Sequence, residues 1–239
     1  MALPKLNAVP KYDMVIPSTG KSVRFRPFLV KEEKILMLAA ESEDPKQMAN
    51  ALADMFLACV QEDIDKNTLT ATDVEYGFLK IRAKSVGETT TLKMTCTNCE
   101  HDNEVKVNLD EVEVPKAGKL KERVELEKNL FIELQQPTFS GVLNATNSED
   151  ENLTTIDKIF DIISEAITNI VTENENINAR DVSKAELREF LESMSGEQFA
   201  KVRAFVEQLP RLQKEIKFKC ESCGYDNKTT VEGIQAFLS

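Results

Sequence analysis

The residues in this chain best suited to chemistry are cysteines, and they come in pairs. The stretch KMTCTNCEHDN begins at Lys93, and KFKCESCGYDN begins at Lys217. Both read Lys-x-x-Cys-x-x-Cys-x-x-Asp-Asn, so Cys96, Cys99, Asp102 and Asn103 correspond to Cys220, Cys223, Asp226 and Asn227. A tight turn between two strands can present two thiolates to one ion while its backbone N–H groups hydrogen-bond the sulfurs. Zinc closes a structural site with four such ligands in a tetrahedron and has no redox chemistry. One turn supplies half of that set and the repeated motif supplies the rest. The pattern therefore predicts one intramolecular structural zinc site with Cys96, Cys99, Cys220 and Cys223 as ligands. The long stretch between the pairs is no obstacle, because loop-closure entropy grows slowly with length. Three other readings use the same residues: a zinc shared between two chains, redox dithiols, or turns that hold no metal. A thioredoxin-type dithiol opens a helix after a strand, whereas strand-like sequence flanks both pairs here.

The remaining candidates are weaker. Cys59 lies on the apolar face of a helical pattern with no histidine near it in sequence, which fits a buried core thiol rather than a nucleophile. His101 is the sole histidine. It could replace a cysteine as ligand, but four thiols already satisfy zinc, and its counterpart in the second motif is Tyr225. Asp102 and Asp226, each followed by asparagine, suit turns that start the next strand rather than a catalytic carboxylate pair. The chain has no glycine-rich phosphate loop, no Gly-x-Ser-x-Gly and no His-Glu-x-x-His. Pro17-Ser18-Thr19-Gly20-Lys21 ends in Gly-Lys but lacks the upstream glycine of a P-loop.

Composition narrows the function classes. The chain has 239 residues, 41% hydrophobic and 30% charged, with no tryptophan and a formal net charge of -11. That length supports one large domain or two small ones. Nucleic-acid affinity comes mainly from Lys and Arg displacing counterions, and no long basic run is present. The acidic balance argues against a general nucleic-acid binder and fits a soluble protein-binding component. No apolar run approaches the length of a membrane span. The N-terminal MALPKLNAVP lacks the apolar core of a signal peptide, so a protein made in a cytoplasm is expected, where paired cysteines read as metal ligands rather than disulfides.

The elements that must position the cysteines follow from periodicity. Tyr12, Met14 and Ile16 alternate, Pro17 to Gly20 is turn chemistry, and Val23 and Phe25 resume the alternation, which predicts a hairpin. VKEEKILMLAAESED reads as a helix ending before Asp44-Pro45. Residues 46–62 carry Met48, Leu52, Met55, Phe56 and Cys59 at helical steps. Residues 70–86 form a third helix with Val74, Phe78, Leu79 and Ile81 on its apolar face. Thr89–Thr95 and Glu104–Leu109 are strands flanking the first cysteine pair. RVELEKNLFIEL, residues 123–134, predicts a hairpin turning at Lys128-Asn129. From about residue 152, Ile156, Ile159, Phe160, Ile163, Ile167 and Ile170 form an amphipathic stripe. NENINARDVS is a polar connection. Ser183 and Glu186 form a capping box for another helix, and GEQFAKVRAFVEQLPRL is one more. The tail IQAFL is a short docking helix or strand.

The resulting fold class is α+β. It comprises an N-terminal hairpin and helices (1–88), a first knuckle and hairpin (89–149), a helical insert (150–212) and a second knuckle that completes the zinc-ribbon-like site (213–239). The text ALPKLNAVPKYDMVIPSTGKSVRFRPFLVKEEKILMLAAES, with its PSTGK turn and RPFLVKEEK run, joins the paired Cys-x-x-Cys motifs and the acidic insert in a pattern that spans nearly the whole chain. This pattern resembles the baseplate hub protein family of T-even-type contractile-tailed bacteriophages. The resemblance implies a non-enzymatic hub component or hub assembly factor. It would have other baseplate hub and tail proteins as partners, with assembly in the host cytoplasm and a place in the virion tail baseplate. It supplies no catalytic residue to carry over. Nucleic acid and membrane are not expected partners. The alternative is a zinc-ribbon regulator contacting nucleic acid or RNA polymerase, a use the fold type permits and the charge balance disfavours.

Overall fold

The computed structural model describes residues 9–115, 120–146 and 154–237. The opening residues of the resemblance and the expected boundary near residue 150 lie outside these. The chain divides into two compact units. One comprises Met1–Ile64, Thr72–Lys116 and Arg211–Ser239, and the other Asp65–Ala71 with Ala117–Pro210. Helices and small antiparallel sheets are mixed in both, so the fold is α+β.

The first unit opens with β1 (Tyr12–Val15) and β2 (Ser22–Phe25), paired antiparallel as the alternation predicted. The PSTGK turn between them is anchored from elsewhere in the unit. Ser18 donates its N–H to Asp73 Oδ1 at 2.9 Å and its hydroxyl to Oδ2 at 2.7 Å, and both residues are buried. Helix α1 spans Val30–Glu41 and α2 spans Pro45–Cys59, with Asp44 as N-cap accepting from Lys46 N–H. The second helix stops at Cys59 rather than near residue 62. Val60 there bridges Phe25, and Gln61 N–H donates to Arg24, so the backbone hydrogen bonds pass from helix to the edge of β2. Helix α3 (Ala71–Ser85) crosses α2 closely enough that a Cβ on Gly77 would sit 2.4 Å from the Phe56 ring. Cys59 is buried in this packing, and desolvation pushes its thiol up to about 11, as suits a core residue.

Strands β3 (Thr89–Thr95) and β4 (Asp102–Asn108) form the hairpin that carries the first cysteine pair. The chain then enters the second unit. Here β5 (Lys121–Glu127) and β6 (Leu130–Gln135) turn at Lys128-Asn129, where Asn129 adopts φ +65°. Asparagine tolerates that left-handed conformation better than most residues. Helix α4 (Phe139–Thr146) follows and was not foreseen. Helix α5 covers Thr155–Ala166, β7 Ile167–Val171, β8 Asn176–Asn178, α6 Lys184–Glu192 and α7 Gly196–Glu207.

Two corrections fall in this unit. The isoleucine stripe is not one helix, and the polar NENIN segment is not a plain connection. The chain changes from helix to strand at Ile167, and β5-β6-β7-β8 form one four-stranded sheet that includes Asn176–Asn178. The insert is therefore a sheet with helices rather than helical alone. The misleading spacing has a specific cause. Ile132 pairs with Ile170 and Glu133 with Asn169, but Leu134 pairs with Ile167, so Thr168 is an extra residue in the ladder. The bulge lets Ile167 and Ile170 both be buried although they are three apart, a spacing that otherwise belongs to a helix face. Thr168 Oγ1 donates to Glu133 O at 3.0 Å within the bulge. The core of this unit includes Leu126, Ile132, Leu134, Ile163, Leu191 and Phe205. The capping box of Ser183 and Glu186 is present as expected, and Ser195 with Gln198 forms a second one, unforeseen, at the start of the expected helix α7.

The chain returns to the first unit as β9 (Gln213–Lys219) and β10 (Asp226–Glu232), the hairpin of the second cysteine pair. The tail forms a 3-10 turn at Ile234–Phe237 that packs against β3 with Phe237 fully buried. Among the described residues, no helix is long and apolar enough to cross a membrane.

Candidate metal centre

Each cysteine pair sits on the turn of its hairpin, and the two turns share one backbone plan. Cys96 N–H donates to His101 O at 2.8 Å and Glu100 N–H to Cys96 O at 3.0 Å. Cys220 N–H donates to Tyr225 O at 2.9 Å and Gly224 N–H to Cys220 O at 2.9 Å. The plan requires a left-handed residue after the second cysteine. Glu100 has φ +59° there and Gly224 has φ +71°. In this turn the amides of Asn98 and Cys99 point at the Cys96 sulfur, and those of Ser222 and Cys223 point at Cys220.

The fold brings the two turns together. Cys96 Sγ lies 3.8 Å from Cys223 Sγ, and Cys99 Sγ lies 3.6 Å from Cys220 Sγ. All four sulfurs lie within 4.8 Å of one another. A disulfide would need about 2.05 Å, so these are free thiols. A tetrahedron with Zn–S bonds of about 2.3 Å has sulfur–sulfur edges of roughly 3.8 Å, and the two short cross-turn distances match it. Cys96 and Cys220 are buried while Cys99 and Cys223 face outward, giving a cluster open on one side.

The electrostatics favour anionic sulfur on the inner pair. Burial alone would raise the Cys96 thiol, but donation from Asn98 N–H and from the Asn227 side chain outweighs it and brings the group down to about 6. Cys220 is lowered by the Cys223 N–H, against desolvation and with help from Ser222 N–H. Cys99 accepts from His101 N–H, yet its neighbouring thiols push it up to about 12. Four thiols this close cannot all ionise without a cation to offset their repulsion. A soft cation with tetrahedral preference, zinc or iron, fits the donor set.

Sequence reading missed the two asparagines that follow the aspartates. Asn227 Oδ1 accepts from Thr97 N–H and from Thr97 Oγ1, both at 3.0 Å. Asn103 Oδ1 accepts from Glu221 N–H at 2.9 Å. Thr97 and Glu221 each directly follow the first cysteine of their pair, so each asparagine reaches across to the other turn. Both side chains are buried. The signal was the Asp-Asn recurrence, which carries no hint of a partner on another hairpin. The aspartates behave as expected, opening β4 and β10. Asp102 is held low by Lys93 Nζ at 2.8 Å and by the Thr95 hydroxyl, so it is engaged with its own hairpin. His101 is exposed and contributes its backbone carbonyl to the turn.

Open clefts among the described residues include two with no cysteine in their lining. A groove of about 610 Å³ runs beside β4 and β9, and a cleft of about 510 Å³ in the second unit is lined by Gln136, Glu165, Arg180 and Lys184 among others. Glu75 on α3 is a carboxylate pushed up to about 7 by burial, with Arg211 opposing, but it lines neither of them.

A family model described as T4 bacteriophage base plate protein matches residues 9–239. No curated protein and no solved structure matches the chain.

Proposed function

The chain belongs to the T4 bacteriophage base plate protein family, and on that premise we propose that it is a non-enzymatic component or assembly factor of the baseplate hub, stapled by a structural four-cysteine zinc site. The observation that carries the zinc reading is the four-thiol cluster with cross-turn distances of 3.6 and 3.8 Å. When bound, zinc would supply four sulfur bonds and no redox chemistry. The chain's own residues do the rest. The turn amides orient the sulfurs, and β3–β4 and β9–β10 fix two distant stretches of sequence side by side. The site thus ties the middle of the chain to its C-terminal part and gives the first unit a fixed shape for partner contact. Other hub and tail proteins are the partners, met in the host cytoplasm during assembly. Asp102 is engaged by Lys93 and the Thr95 hydroxyl within its own hairpin, which supports a structural rather than a catalytic role for it.

Native mass spectrometry of the reduced, purified protein tests the metal. One zinc per chain is the expected result. A folded chain without metal, or one holding iron, overturns the zinc assignment. The hub role is tested separately in phage lacking this product. Tails without baseplates, restored by the intact gene, are expected; normal infectious particles would overturn it. Binding to DNA that falls steeply with salt would instead favour a nucleic-acid-binding regulator.

A further inference from the structure

The two asparagines do something that neither the thiols nor an ion requires. Asn103 and Asn227 occupy equivalent positions and make reciprocal bonds. Each accepts from the amide after the first cysteine of the opposite turn. Each also donates its Nδ2 to the carbonyl two residues back in its own turn, Asn103 to His101 O at 2.9 Å and Asn227 to Tyr225 O at 3.1 Å. Each amide side chain is therefore fixed at both ends, with its carbonyl aimed across the junction. Being buried, it cannot exchange these partners for water without cost. The second Nδ2 bond differs. Asn103 donates to Met94 O at 3.3 Å, within its own hairpin, whereas Asn227 donates to Cys96 Sγ at 3.4 Å, on the opposite turn.

We infer that Asn103 and Asn227 are positioning residues. They form a reciprocal latch that holds the two cysteine turns in register before any ion binds, and Asn227 also orients the Cys96 sulfur. The ion then enters an assembled four-thiol pocket instead of gathering two separate hairpins. The latch stands on hydrogen bonds between side chain and backbone and does not need the zinc reading; the effect on affinity rests on that reading.

The test uses the full chain, reduced, either zinc-loaded or stripped with a chelator, and reads amide exchange by NMR at Thr97 and Glu221. Both amides should be protected in both forms. Asn227→Ala should release Thr97, and Asn103→Ala should release Glu221, so that each substitution acts on the other turn. Exchange in the β1–β2 hairpin reports whether the variants remain folded. Asn227→Asp keeps an acceptor for Thr97 but loses the donor to Cys96. It should preserve Thr97 protection while weakening zinc, measured by competition with a chelator. Outer partners of metal ligands typically contribute about 10–100-fold in affinity, and that range is expected for Asn227→Ala, with a smaller loss for Asn103→Ala. The inference is overturned if stripping the metal exposes both amides in a chain that is otherwise folded, or if the variants leave the opposite turn unchanged. If the protein takes up no zinc but the crosswise exchange pattern holds, the zinc reading fails and the latch stands.

Discussion

The two cysteine turns are built on one template and differ where the template is least tolerant. In the first, the left-handed position is Glu100; in the second it is Gly224. A residue with a Cβ costs roughly 1 kcal/mol or more in that conformation, while glycine adopts it freely. The first turn also receives more help. Thr97 adds a hydroxyl bond to the asparagine that reaches it, while each turn takes one side-chain donor on a sulfur from the other, Cys96 from Asn227 and Cys223 from Asn98. Glu221 offers only its amide to Asn103. The strained turn is thus the better-tethered one. Equal sequence spacing gives equal backbone plans, but the share of strain and support between them is set by the residues around the spacing.

The harshest way to break this comparison is to remove an inner sulfur from either turn. Cys96→Ser and Cys220→Ser should each abolish tight metal binding and destabilise the first unit by at least about 3 kcal/mol, since structural metal binding contributes folding energy directly. That corresponds to a fall in melting temperature on the order of 10 °C. Calorimetry with metal analysis checks it. Equal losses from the two variants indicate one shared site, and a variant that melts like wild type and keeps its metal excludes it.

Metal removal should separate the five cysteines into two classes. After chelation in native buffer, the four clustered thiols should react with a thiol reagent. Cys59, buried and raised to about 11, should react only after unfolding. A fifth thiol reacting in the native state would show that the core around Cys59 opens. Acid should release the ion as well, because protons compete for thiolates, and zinc retention should fall as pH is titrated downward from neutral.

The strain difference itself is open to finer substitution. Gly224→Ala should destabilise by about 1 kcal/mol and Glu100→Gly should be neutral or stabilise by up to about 1 kcal/mol. The same sign for both in thermal melts would mean that the turns do not differ in the way their φ angles indicate. The smallest effect should come from the exposed Lys93–Asp102 pair at 2.8 Å. Lys93→Ala is expected to leave the thermal melt close to that of the wild type, with any small difference vanishing in high salt.

Much of this arrangement was legible beforehand, for identifiable reasons. The N-terminal hairpin, the three helices after it and both cysteine hairpins follow from local alternation, capping residues and turn chemistry, which act over a few residues. The misreading at Ile167 came from a bulge. Thr168 shifts the register, and the three-residue spacing of Ile167 and Ile170 then looks helical, although pairing with β6 and β8 decides otherwise. Helix α4 carries no charged residue and was missed for want of a polar face to set its period.

By itself, the sequence determined that two identical turns would each present two sulfurs, because Cys-x-x-Cys between strands specifies a local geometry. It also determined that Cys59 would be set apart from them, since its neighbours repeat at helical steps. Only the tertiary structure decided that the two turns meet and that Asn103 and Asn227 cross between them. Those bonds join residues far apart in the chain. No local propensity encodes such a pairing, and only the packing of the intervening strands and helices brings the partners within hydrogen-bond reach.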